Sequence, residues 1–589
     1  MIDENIDKRL NIMKDGEIIK RLLKYAKPFS LRFVFVFLLM IVQVGMALLE
    51  PFLLGSSIDV ISEKGFEFSE LTNYLTLFLT VIVFGAIFNY YQTIILQITG
   101  QDVIFNIRKD IFTHLEYHDI DYLNKRPTGS LVTRVTNDTN TLNEMYTSVI
   151  VNVFKNLLMV IGIVIAMFLL NVKITLMILI VVPFIIIFSF VFRRYSRKAY
   201  RKVRGNLSRV NAFLAEHLSG MKIIQIFNQE DAKFEEFENR NRVLKHSYYR
   251  QILTFAIYRP TMYFLFMVTT VIVLYFGGVG VLEGTITIGI LIAFQNYVGR
   301  FFEPIQQLAE QFNILQSAFA SSERIFDIMD AKPEIIDKED AIEVGSLKGE
   351  IEFRNVWFAY IEGEWILKDV SFKVQAKESV AFVGATGAGK TTILALITRN
   401  FDIQKGQILI DGIDIRDIKK DNLRHNIGQM LQDVFMFSGT IRSNITLRNE
   451  NITDEEMIKA CEYVNANHFI EKLENKYQTE VRERGNNFSS GQRQLLSFAR
   501  TIVHNPNIMI LDEATSNIDT ETEQLIQESL KKMMSIGTML VVAHRLSTIQ
   551  HVNKIIVLHK GEILEEGSHQ ELLKKRGHYF NLYKLQYQE

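Results

Sequence analysis

Six stretches of this chain are too apolar and too long to end inside water. The most extreme is ITLMILIVVPFIIIFSFVF at 174–192, without a charge. A helix needs roughly 20 mostly apolar residues to cross a bilayer. Cores of that kind occur at 33–49, 71–101, 156–172, 174–192, 260–282 and 285–299. They predict six membrane helices at about 30–61, 69–100, 140–171, 174–195, 250–282 and 285–318. The third and fourth, and the fifth and sixth, are joined by almost nothing, so each pair reads as a tight hairpin. The first 30 residues are charged and hold no apolar run of the signal-peptide kind.

Loop charge sets the expected orientation. The short loops at 62–70, 171–175 and 283–285 carry Lys64 and Lys173 and no arginine, whereas 193–250 carries 14 Lys and Arg. Positive charge stays on the cytoplasmic side, which predicts both termini inside. The inner connections, 102–146 and 193–250, keep a helical period and predict helices running well past the bilayer. Turns are expected at NKRPTGS (124–130) and near HLSGMK (217–222). Charges at membrane depth are costly and mark function or helix ends. Glu50, Lys155, Arg259, Arg300 and Glu303 qualify, and the last two, three apart, are placed to pair. Phe264, Phe266, Phe294 and Tyr297 are candidate cavity aromatics, although packing is the commoner use of such residues.

Composition removes other classes. A net charge of −1 gives no basis for nucleic-acid binding. The single cysteine, Cys461, allows no intramolecular disulfide and reads as a small buried residue. Residues 1–325 form the predicted membrane domain, 326–348 a linker, and 349–589 a second domain of different texture.

That second domain begins with short strand-like runs. SVAFVG (379–384) feeds GATGAGKTT (384–392), which fits G-x-x-x-x-G-K-[ST] in the required strand–loop–helix setting. Gly384, Ala385, Thr386, Gly387, Ala388 and Gly389 offer backbone N–H groups to phosphates. Lys390 reaches the β and γ oxygens, and Thr391 with Thr392 opens the helix. Thr391 is also a candidate Mg²⁺ ligand. IMILDEATSNID (508–519) is an apolar strand ending in Asp512, suited to Mg²⁺, and Glu513, suited to polarise the attacking water. TMLVVAH (538–544) is a third such strand, ending in His544. The fold class is therefore a six-helix membrane domain with long cytoplasmic extensions followed by an α/β P-loop ATPase domain.

The order GATGAGKT, MLQDVFMFSGTI, FSSGQRQ, ILDEATSNID, VVAHR resembles the nucleotide-binding domain of ATP-binding cassette (ABC) transporters, and the preceding six spans resemble the exporter branch. The resemblance covers essentially the whole chain and is most specific over 357–548. It implies adenine stacking by Tyr360, sensing of Mg²⁺ and water by Gln432, and a γ-phosphate contact by His544. It implies that Asp519 crosses to the partner's phosphate loop. It also implies a signature loop, Ser489, Gly491 and Gln492, facing ATP held by a second chain. ATP and Mg²⁺ are the implied cofactors. One phosphate loop and one signature per chain make this a half-transporter that needs a partner.

The signature departs from Leu-Ser-Gly-Gly-Gln at Phe488 and Ser490. Arg482 stands where glycine is common and Asn517 where a small residue is usual. These departures favour a heterodimer with a second half-transporter over a homodimer. The implied function is ATP-driven export of small hydrophobic or amphipathic compounds, drugs or lipids, across a bacterial plasma (inner) membrane. Lipid flipping, peptide export and, less expected, an ATP-gated channel or sensor are the alternatives.

Overall fold

The structure, a computed structural model, describes residues 13–62, 68–512, 520–542 and 549–587. The chain divides into two compact units. One comprises residues up to 117 together with 126–331; the other comprises 118–125 together with 332–589.

The first unit is helical. Its principal helices are Ser30–Ser62, Phe68–Glu116, Ile150–Leu170, Val182–Ser219, Glu230–Leu282 and Ile288–Asp330. Among the described residues five helical stretches are long and apolar enough to cross a membrane, not the six expected. The sixth, Ile288–Asp330, is helical over its whole length. Gln295, Asn296, Arg300 and Glu303 interrupt its apolar run. The expected fourth span is not continuous either: Val172–Leu179 stops and Val182–Ser219 begins again with Pro183 in its first turn. Proline has no N–H for the preceding turn and its ring crowds that turn's carbonyl, so the helix restarts there.

The hairpins have local causes. Asn171 caps the helix from Val172 by accepting hydrogen bonds from the N–H groups of Lys173 (3.0 Å) and Ile174 (3.1 Å). Gly284, at φ 71°, turns the chain before Thr287 caps the next helix. Asp59 then accepts hydrogen bonds from Gly289 N and Thr287 Oγ1, both at 2.6 Å. Gly55 and Gly289 let two backbones touch: a Cβ on Gly55 would lie 2.4 Å from the Gly289 carbonyl oxygen. The small-residue contact is the usual way membrane helices approach closely. Along the same seam Tyr297 Oη donates to Leu48 O (2.6 Å), and Arg300 pairs with Glu50 at 2.5 Å and donates to Ala47 O at 2.7 Å. The expected Arg300–Glu303 pair is thus replaced by one between helices, because only there does the guanidinium meet a carboxylate and a carbonyl together.

The extensions are long. Phe68–Glu116 has 49 residues and Glu230–Leu282 has 53, about 74 and 80 Å at 1.5 Å per residue. One turn carries the short helix Ile120–Asn124 and the other the short helix Met221–Ile226, after a break at Gly220.

Among its described residues the second unit holds twelve strands: β1 Ile351–Ala359, β2 Trp365–Val374, β3 Ser379–Val383, β4 Lys405–Ile410, β5 Ile413–Asp414, β6 Ile427–Met430, β7 Gly439–Thr440, β8 Glu480–Val481, β9 Ile508–Asp512, β10 Thr538–Val542, β11 Lys554–His559 and β12 Glu562–Gly567. An antiparallel sheet runs β2-β1-β4-β5, and a six-stranded sheet runs β12-β11-β3-β10-β9-β6, parallel except for β12. Strands β3 and β10 are buried on both faces and apolar beyond their first residues, Ser379 and Thr538, as a covered parallel sheet requires. Two cores flank this sheet. One packs Phe382, Leu394 and Ile510; the other packs Phe498, Leu511 and Cys461, where burial pushes the thiol up to about 12.

Candidate functional site

Parallel strands bring their carboxyl ends to one edge, where ligands bind in open α/β sheets. Strand β10 pairs Val542 with Phe382 of β3 on one side and with Asp512 of β9 on the other, while β6 pairs Met430 with Leu511. The phosphate-loop sequence, Asp512 and Gln432 therefore leave the sheet from the same edge. Strand β10 ends two residues before His544. Glu513, Asp519 and His544 lie outside the described residues, as does Asn517.

The phosphate loop is shaped by its glycines. Gly387 and Gly389 have φ of 80° and 102°, the left-handed region that costs other residues dearly. A Cβ on Gly384 would lie 2.2 Å from the Leu558 carbonyl oxygen. A Cβ on Gly387 would meet nothing within 4 Å, so that glycine borders open space. Ala385, Thr386 and Gly387 are exposed; Ala388, Gly389 and Lys390 are buried. The Lys390 ammonium donates to the carbonyls of Gly384 (2.8 Å) and Ala385 (3.0 Å), folding over the concave side of its own loop. The helix Lys390–Ile397 follows directly, with Thr391 exposed in its first turn and Thr392 buried. Its free N–H groups and positive end favour an anion.

Tyr360 follows β1 and leaves a half-exposed ring beside this loop. Its hydroxyl lies 3.2 Å from Thr392 Oγ1, and its ring meets Phe401 edge-on at 5.1 Å. This braces the ring while leaving a face for a planar ligand. Exposed Thr391 and half-buried Asp512 are hard oxygen donors at the loop's edge, a donor set that fits Mg²⁺. Gln432 is exposed just beyond β6.

The signature loop is a second anion-shaped helix start. Ser489 caps the helix Ser490–Val503: its hydroxyl accepts from Gln492 N (3.2 Å) and Gln492 Oε1 accepts from Ser489 N (3.0 Å). The hydroxyl keeps its own proton to donate. Ser489 is exposed and Gly491 buried. Phe488 is only 6% exposed and packs against Phe469 in the core.

Two residues that motif reading passed over hold this loop and the segment after Gln432. Arg493 donates to Phe488 O at 2.8 Å. Arg500, two turns further along the same helix, donates to Asn444 O (2.8 Å) and Phe435 O (3.0 Å), fixing the segment after Gln432. Burial holds Arg500 below the ordinary guanidinium range. The arginine in GQRQ was the available signal; Arg500 had none. Asp119 was also missed. It precedes the helix Ile120–Asn124, and its carboxylate accepts hydrogen bonds from the N–H groups of Glu334 and, at 3.2 Å, Ile335.

A phosphate loop on a parallel sheet, a second helix start built for an anion, and a unit of membrane-length helices define a polytopic membrane protein driven by a nucleotide. Residues 33–305 match the ABC transporter transmembrane region and residues 367–516 the ABC transporter domain. An uncharacterised ABC transporter ATP-binding protein of Bacillus subtilis (strain 168) is 38% identical over 593 residues, 99% of this chain and 96% of that one. An ATP-dependent lipid A-core flippase of Syntrophus aciditrophicus (strain SB) is 34% identical, over 97% of this chain and 95% of its own. A solved bacterial Atm1-family ABC exporter with ATP bound superposes with a TM-score of 0.79 at 25% identity, over 95% of this chain and 98% of its own. The chain belongs to the ABC transporter family. It is an exporter half-transporter whose ATPase domain drives transport, a multi-pass membrane protein of the bacterial type, built to dimerise.

Proposed function

We propose that this chain couples hydrolysis of Mg²⁺-bound ATP to outward movement of amphipathic compounds, drugs or lipids, across the plasma membrane. The carrying observation is the pairing, in one chain, of a glycine-shaped phosphate loop with a separate serine-capped helix start. ATP would lie on the phosphate loop, with Tyr360 against adenine and Lys390 leaving its loop carbonyls for the β and γ oxygens. Mg²⁺, held by Thr391, Asp512 and Gln432, would neutralise phosphate charge. Glu513 would accept the proton of the attacking water, with His544 at the γ-phosphate. The Ser489 hydroxyl and the N–H of Gly491, with Gln492 holding the cap, would meet the γ-phosphate of ATP on the partner's loop, and Asp519 would cross to that loop. Each ATP then joins two chains, and its hydrolysis releases them. The segment around Ile120–Asn124 is the proposed element that passes the motion on, with both termini in the cytoplasm. Relatives named for multidrug resistance and for lipid A-core flipping support both substrate types.

The proposed partner is a non-identical half-transporter. Ser490 opens the signature helix, where Cβ atoms tilt toward the helix N-terminus. Its side chain would therefore lie toward the space a partner's phosphate needs, which glycine would leave free. Expression of the chain alone tests this. Substrate-stimulated ATPase activity without a partner overturns the heterodimer. For the chemistry, Glu513→Gln is expected to lower turnover by roughly 10²–10⁴-fold while ATP binding persists. Near-normal hydrolysis would remove Glu513 as the base.

A further inference from the structure

The membrane unit contains a cavity of about 1160 Å³. We propose that it is a binding site for amphipathic anions, with the acidic group held by an arginine stripe and the apolar body laid on an aromatic wall. This deepens the export reading above by naming the substrate class.

The stripe follows from helical spacing. Arg197, Arg201 and Arg204 lie at i, i+4 and i+7 of the helix Val182–Ser219, hence on one face, and all three line the cavity. Arg259 joins them from the helix Glu230–Leu282, and the lining holds a single carboxylate, Glu303. Glu303 accepts a hydrogen bond from Gln307 Nε2 at 3.0 Å. Arg197 donates to a neutral amide, Gln316 Oε1, at 3.2 Å. Among the described residues, Arg201, Arg204 and Arg259 form no ion pair. Several arginines elsewhere in the unit are matched, among them Arg300 by Glu50, Arg324 by Asp138 and Arg21 by Asp330. Among the described residues Arg194, Arg209 and Arg250 are not, so it is the convergence on one cavity that sets this stripe apart. Like charges at i, i+4 repel one another. A stripe of them relaxes when an anion enters, and its field excludes cations.

Retention of positive charge on the cytoplasmic side explains a basic segment but not its arrangement. Arg194, Lys198 and Lys202 meet that requirement from faces that do not line the cavity. Nor does it explain the wall. Phe192 stacks on Tyr258 at 3.8 Å with Phe255 edge-on at 5.3 Å, and Phe266 meets Phe302 edge-on at 5.7 Å. Apolar walls with a few convergent polar groups are how small-molecule sites are built, and this volume lies above the roughly 300–1,000 Å³ of drug-sized pockets. A long-tailed amphiphile suits it better than a compact one.

The acidic group belongs either to a membrane lipid or to a water-soluble organic anion. The full-length transporter in phosphatidylcholine nanodiscs, without nucleotide, separates these by equilibrium fluorescence binding. One pair of probes shares a labelled twelve-carbon tail and ends in phosphate or trimethylammonium; a third probe is labelled phosphatidic acid within the disc. The phosphate-ended probe or the phosphatidic acid is expected to bind at least tenfold more tightly than the cation. Tighter binding of the soluble probe assigns a soluble anion, and of the phosphatidic acid a lipid. Arg201→Gln and Arg204→Gln should each weaken anion binding roughly tenfold, about 1.4 kcal/mol. The lysine variants should retain most of it. Both arginines are exposed, and retained ATP binding reports that the variants are folded. Equal or tighter binding of the cation overturns the inference, as does an unchanged anion affinity in the double glutamine variant. Anion binding retained without transport of any probe leaves this site standing and counts against the export reading instead.

Discussion

The phosphate loop and the signature loop present the same chemistry, helix N–H groups open to a phosphate, by different means. The phosphate loop relies on backbone that only glycine adopts cheaply: Gly387 and Gly389 sit at positive φ, and a Cβ on Gly384 would strike a carbonyl. The signature loop relies on side chains: Ser489 and Gln492 cap each other, Arg493 ties Phe488 O, and Phe488 is buried. Ser490 has negative φ there, and Arg482 is extended at φ −77°. The first loop is therefore intolerant of a Cβ at these glycines, whereas the second, held by side-chain contacts, is the more tolerant of substitution at Ser490.

The largest expected difference comes from placing alanine on the intolerant side. Gly389→Ala puts a β-carbon at φ 102° and 2.6 Å from Leu367 Cδ2. Leu367 can shift, but the backbone strain remains, and a non-glycine residue held in that region costs roughly 1–3 kcal/mol, about 5- to 150-fold if it must be met to bind phosphate. Isothermal titration with ATP should show that loss, with the domain still folded. Affinity within threefold of the parent would mean that this glycine serves packing alone.

On the tolerant side, Phe488→Ala removes a nearly buried ring from the core. Stability should fall by about 3–5 kcal/mol, read as a lowered Tm, whereas Phe488→Leu should cost less than about 1.5 kcal/mol. If both variants melt like the parent, the ring does not anchor the loop. Arg493→Ala leaves the Phe488 carbonyl without its charged donor, and a loss of about 1.5–3 kcal/mol is expected. Its effect should appear in turnover more than in ATP affinity if, as proposed, the loop it holds faces another chain's nucleotide.

Legibility in the sequence followed the same division. Where backbone conformation demands one residue type, as in GATGAGKTT, spacing located the loop and its glycines. The uncharged runs marked membrane helices for a similar reason, since lipid tolerates only backbone whose polar groups are satisfied internally. Residues acting through long-range side-chain contact left no local trace: Asp119 meets Glu334 and Ile335 more than 200 positions away, and Arg300 chose Glu50 over its neighbour Glu303. The aromatic expectations split likewise. Phe294 and Tyr297 are buried in the helix core and Phe264 is exposed away from the cavity, leaving Phe266 as the one of the four that lines it. Periodicity reports which residues share a face, not what that face meets.

The smallest expected effect decides most about the partner. Ser490→Gly changes a helix-opening residue, so the loss of stability should stay under about 1 kcal/mol. If the serine side chain crowds the partner's phosphate, removing it should raise ATP turnover several-fold in the assembled transporter, with ATP affinity at this chain's own phosphate loop unchanged. That asymmetry is what a heterodimer with one slow site requires. Turnover that stays level after the substitution, in a chain active on its own, would make Ser490 a neutral variant of the signature and a second identical copy the partner.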